Sequence, residues 1–91
     1  MEGTLGEIRI FAGIFAPTNW AFCHGQTLKI VEMQALYSIL GTTYGGDGQT
    51  SFGLPNLVGK SPAEVAIEFD GQSYVAGQYI ICVKGFFPSR G

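Results

Sequence analysis

Glu32-Met33-Gln34-Ala35-Leu36-Tyr37-Ser38-Ile39-Leu40, running straight into Gly41-Thr42-Thr43-Tyr44-Gly45-Gly46-Asp47-Gly48, marks the one change of hydrophobic period in this chain. Met33, Leu36, Tyr37 and Leu40 fall at i, i+3, i+4 and i+7, so one helix is expected over about residues 32–40, with Gly41 where a left-handed C-cap would sit. Its start is poorly provisioned. Val31 stands where Ser, Thr or Asp would accept the first free amide hydrogens. The segment that follows holds five glycines counting Gly53, a composition that serves a backbone needing several positive φ angles.

On either side of this pair the period is two. Leu5 to Phe11 sets Glu7 and Arg9 against Ile8 and Ile10, the pattern of a half-buried strand. Pro17-Thr18-Asn19 reads as a turn, and Trp20-Ala21-Phe22-Cys23 as a short aromatic strand closed by His24-Gly25-Gln26. Downstream, Pro55 confines Leu54 to Leu57 to an edge or an irregular extended path. Asp70-Gly71 between Val65–Phe69 and Ser73–Val75 predicts a two-residue hairpin. Gln78 to Phe87 is nearly all apolar, so it needs cover on both faces, from its own domain or from a neighbouring subunit. We expect a single α+β domain over residues 1–91, β-rich with one helix, its last strand returning to the N-terminal sheet.

Of the 91 residues, 46% are hydrophobic but only 13% are charged, against about a quarter in an average soluble domain. The deficit falls on the surface. A small domain hides only roughly 60 to 65% of the surface that its unfolded chain exposes, so apolar area is left over for a partner. Self-association is the first functional expectation, with Tyr79, Ile81 and Val83 of the last strand as candidate contact residues. A net charge of −2 with five scattered Lys and Arg gives no footprint for nucleic acid. Aromatic and β-branched content argues against disorder, no apolar run approaches the ~20 residues needed to span a bilayer, and the N-terminus lacks the basic and apolar parts of a signal peptide.

Catalytic and metal chemistry finds little support. Cys23 and Cys82 are either two buried small apolar residues or a bonded pair; a last strand beside Trp20–Cys23 would bring them towards each other, and Cα atoms well beyond ~7 Å would exclude the bond. A nucleophilic Cys23–His24 pair would need a bend, because adjacent strand side chains point to opposite faces. Glu64 and Glu68 would lie about 13 Å apart on a strand, too far to share a proton or a metal. The glycine loop has neither the Lys-Ser nor Lys-Thr of a phosphate cradle, and Asp47 is its only carboxylate for calcium. Tyr44, with Asp47 and Gln49, could stack on and hydrogen-bond a sugar. No enzyme and no cofactor is expected.

Gly6-Glu7-Ile8-Arg9 with Phe11, Trp20 to Cys23 with Gly25-Gln26, Gln34 to Tyr37 running into Gly41 to Gly48, then Phe52, Leu54-Pro55, Leu57 and Gly59 together resemble the phage tail collar domain, including bacterial microcystin-dependent proteins. Tyr79 to Cys82, with Gly85 and Phe87 to Arg90, is similar to the C-terminal signature of the same proteins. The resemblance implies a structural or adhesive module of a phage tail fibre or tail-derived apparatus, made in the cytoplasm and placed in the virion tail. It also implies a homotrimer, other tail or fibre proteins as partners, and host-surface glycans as possible contacts. Only Ser61 to Gly77 fills the place of a longer insertion in relatives, so this is a shortened form without their receptor-binding head. Asn19, His24, Asn56, Val58 and Lys60 depart from the usual pattern. Three copies of His24 would assemble a metal site only if that residue lay on the threefold axis.

Overall fold

The structure, a computed structural model, describes residues 1–58, the strands Ala66–Phe69 and Gln72–Val75, and residues 78–88. In chain order the elements are β1 (Ile8–Phe11), β2 (Trp20–Phe22), β3 (Thr27–Lys29), a 3-10 turn (Ile30–Glu32), α1 (Gln34–Leu40), β4 (Ser51–Gly53), β5 (Ala66–Phe69), β6 (Gln72–Val75) and β7 (Gln78–Cys82). The strands form three antiparallel sheets: β1-β7-β2, β3-β4 and β5-β6. The chain is therefore the expected α+β type, and its last strand does return to the N-terminal sheet.

That strand lies in the middle. Ile8 pairs with Ile81 and Phe11 with Gln78 on one side, while Trp20 pairs with Cys82 and Phe22 with Ile80 on the other. Both neighbours run antiparallel to β7, so β1 and β2 are parallel to each other. The Ala12–Asn19 connection must cross from the Gln78 end of the sheet back to the Cys82 end.

Paired residues share a face, and the register sorts the apolar side chains into two clusters. Ile81 faces a core with Cys23, Leu5, Leu36, Phe52, Leu54 and Val83. Ile80 and Cys82 face the other way with Trp20, against which Phe11 and Phe22 pack. A strand apolar on both faces is thus covered on both faces by its own chain. This corrects the expectation for the candidate self-association residues. Ile81 and Val83 are buried inside the protomer, and Tyr79 packs against the same core.

The same register separates the two readings of the cysteines in favour of two buried, unbonded residues. β7 does lie beside Trp20–Cys23, but Cys82 is opposite Trp20 while the Cys23 amide donates to the Tyr79 carbonyl, three residues further along. An odd offset puts the two thiols on opposite faces of the sheet. Both are free and buried.

The start of the helix also moves. The α-helix begins at Gln34, because Glu32 belongs to the 3-10 turn and Met33 breaks helical geometry at φ −137°, ψ 46°. On β1 both faces stay half-bare: Ile8 and Ile10 are about 40% exposed at the edge of the sheet, as is the Arg9 side chain, whose guanidinium lies 5.0 Å over the Trp20 ring. Glu7 Oε2 accepts from Arg9 Nε at 2.7 Å and holds that cation in place. The Pro17–Asn19 turn forms, closed by the Trp20 amide on the Pro17 carbonyl, with Asn19 at φ +70°. Phe69 pairs with Gln72, the register that a two-residue loop requires; Asp70 and Gly71 themselves lie outside the described residues, as does Val65.

Candidate functional site

The loop after α1 is built from its own backbone. The Gly41 amide donates to the Tyr37 carbonyl, Thr43 to Leu40, Gly45 to Thr42 and Gly48 to Ser51, while the Gly53 amide of β4 donates back to Gly45. Tyr37 bridges helix and loop, donating its hydroxyl to the Gly48 carbonyl at 3.2 Å and packing edge-on against Phe52 with ring centroids 5.4 Å apart. Gly46 lies where the two arms touch. Its φ is +91°, and a Cβ there would land on the Phe52 backbone.

Asp47 holds this loop closed. Its Oδ1 accepts the amides of Gln49 and Thr50 at 2.8 Å and of Ser51 at 3.0 Å, while Oδ2 accepts the Thr50 hydroxyl at 2.8 Å. Four donors on one carboxylate, the Thr50 amide foremost, hold its pKa far below the usual carboxylate range. Both oxygens are engaged, which changes the sugar-contact triad expected from the sequence. Asp47 acts on the loop, and only Tyr44, 49% exposed, and Gln49 face outward.

Cys23 and His24 separate as strand geometry requires. Cys23 is buried and its thiol is pushed up to about 11 by desolvation, which suppresses the nucleophilic thiolate at neutral pH. His24 is exposed, stacked on Phe22 at 5.2 Å with an interplanar angle of 10°, and its Nε2 lies 2.9 Å from Gln78 Oε1. Among the described residues no three His, Cys, Asp or Glu side chains come together as a metal site.

The order of parts along the chain, an edge strand, a Trp strand, a short helix and a self-bonded glycine loop leading to a buried Phe-Gly-Leu-Pro, coincides with a family match. Residues 6–62 match the model of the phage tail collar domain. The chain belongs to that family. No curated protein matches it. The collar assignment places it among structural modules of phage tails, in association with other tail or fibre proteins. The match takes in β1 to β4 and the glycine loop, while β7, which joins β1 to β2, lies beyond it. No helix among the described residues is long and apolar enough to cross a membrane.

For a structural collar domain the working site is a surface, and the barest apolar surface is one the sequence reading passed over. Ile14 and Phe15, on the Ala12–Asn19 crossover, are 83% and 79% exposed, and they follow the half-bare Ile8 and Ile10 of β1 in the chain. Two bulky apolar residues between Gly13 and Ala16-Pro17 were a usable signal. So was the absence of any Asp, Glu, Lys or Arg from Ile10 through Leu28. Periodicity missed both because the crossover has no regular period.

Proposed function

We propose that this collar domain is a non-enzymatic structural and adhesive module of a phage tail fibre that assembles as a homotrimer in the virion tail. The observation that supports self-assembly is the exposure of four bulky apolar residues, Ile14 and Phe15 on the crossover and, by about 40%, Ile8 and Ile10 on β1. Covering an Ile or Phe side chain contributes about 1.5–3 kcal/mol, so leaving Ile14 and Phe15 in water forgoes a large part of a small domain's margin. A copy of the same chain is a suitable cover, since the crossover carries no charge that would have to be stripped of water. Light scattering on the purified protein at micromolar concentration tests this. The expected mass is three times the 9.7 kDa of one chain, and a stable monomer overturns the reading.

Contact with host-surface glycans is the second reading, supported by the half-exposed Tyr44 ring on a loop that Asp47 makes rigid. A rigid aromatic loses little entropy when a sugar stacks on it. Glycan titrations should then show weaker binding for Tyr44→Ala than for wild type, and equal or absent binding by both removes this reading.

A further inference from the structure

We propose that Phe15 of one copy seats in the apolar cleft between the start of α1 and Val83 of the next copy, so that three such contacts close the ring; this rests on the trimer reading above. A closed threefold assembly is heterologous: each chain offers a projecting patch and, elsewhere, a different surface that receives it. The collar domain carries one of each. Phe15 projects from the crossover between β1 and β2, 79% exposed, with Ile14 beside it. The receiving surface is a cleft of about 230 Å³ lined by Leu5, Met33, Ala35, Leu36 and Val83, with Glu32, Gln34, Lys84 and Gly85 at its borders.

Size and polarity match. An apolar cavity of about 150 Å³ holds a benzene molecule, so a 230 Å³ cleft takes one phenyl side chain and not two. Leu5, Leu36 and Val83 are buried, and they give the cleft fixed walls. Val31, 75% exposed and one residue before Glu32, offers Ile14 an apolar neighbour once Phe15 is seated. A second, larger cleft of about 450 Å³ is lined by Met1, Glu2, Thr18, Asn19, Lys84 and Phe86 among others. At about three times the volume that holds a benzene molecule, it would be filled poorly by one phenyl side chain.

A charge exchange tests the contact. Phe15→Glu and Ala35→Lys each replace an exposed residue, so neither disturbs the protomer core, and Trp20 fluorescence with far-UV circular dichroism checks that the fold is retained. Sedimentation over a concentration series should show each single variant dissociating, with every contact weakened about 30-fold or more, as for a central aromatic anchor. The double variant Phe15→Glu/Ala35→Lys should regain the trimer at low salt and lose it at high salt. A folded Phe15→Glu protein that stays trimeric overturns this contact and leaves the trimer standing, and a trimeric Ala35→Lys protein beside a dissociated Phe15→Glu does the same. A monomeric wild type overturns the trimer reading itself, and the contact with it.

Discussion

Replacing Gly46 by alanine separates two costs that the glycine loop imposes on any side chain. The first is conformational: at φ +91° an L residue costs about 1–2 kcal/mol. The second is steric. The new Cβ would stand 2.7 Å from the Phe52 amide nitrogen and 2.5 Å from the Ser51 carbonyl oxygen, backbone atoms of β4 that cannot rotate away, and such overpacking costs about 1–3 kcal/mol. Alanine stiffens the unfolded chain and returns about 0.4–1 kcal/mol, leaving a net loss of about 1–5 kcal/mol. Gly6→Ala supplies the control. Gly6 also has a positive φ, +81°, but its Cβ would meet only side chains at ordinary contact distances, Ile39 at 3.5 Å and Leu40 at 3.9 Å, so the loss there is about 0–1.5 kcal/mol. Urea unfolding followed by the buried Trp20, at one fixed protein concentration for all three proteins, reads the difference. Gly46→Ala should fall below Gly6→Ala by about 2 kcal/mol. Equal losses would mean that the loop arms do not touch as described, and the account of why glycine is needed there would fail.

The thiols give an independent check on the sheet register: native protein should react slowly with iodoacetamide at pH 8, both cysteines should label in urea, and reductant should leave Tm unchanged. A disulfide-linked Cys23–Cys82 peptide after digestion would refute the register. Asp47 sets an acid limb. Its folded-state pKa is depressed, so its stabilisation is full above the ordinary carboxylate value of about 3.9, declines as pH falls below that, and is gone once pH passes under the loop's own far lower value. Urea midpoints at pH 7 and pH 3 should therefore differ less in Asp47→Asn than in wild type, and an unchanged difference would show that the carboxylate does not hold the loop. Leu36→Ala, at a fully buried position facing Phe52 and Leu54 in one core, should cost about 2–5 kcal/mol by the same assay; a loss under 1 kcal/mol would place Leu36 outside the core.

What the sequence disclosed depended on whether one residue's neighbours in the chain were also its neighbours in space. Leu36, Tyr37 and Leu40 announce α1 because helical contacts are local, and the Phe69–Gln72 pairing was legible because its partners stand only three positions apart in the chain. β3 and β4 escaped notice: each is three residues long, and Ser51-Phe52-Gly53 shows no alternation that three residues could display. The face of Cys82 was equally hidden, because it depends on which residue of Trp20–Phe22 comes opposite, and a slip of one residue would have reversed it. Tyr44, Asp47 and Gln49 could be picked out by type alone. Type did not reveal that Asp47 spends both oxygens on Gln49, Thr50 and Ser51, which only a closed loop can arrange. Ile14 and Phe15 were legible as composition and not as pattern.

Placing β7 between β1 and β2 has a consequence for biosynthesis. At roughly 5–20 residues per second, a ribosome that has finished Ile8 needs a further 3–15 s or so to deliver Ile81, its partner. Through that interval both N-terminal strands have every sheet hydrogen bond unmade and Trp20, Ile8 and Ile10 uncovered. The pairing is also non-local, so it is slow even after release. A fragment ending at residue 62 would contain all of the matched collar stretch and still leave β1 and β2 without the strand that joins them. The shortest stretch from the N-terminus that can complete its own sheet runs through Cys82.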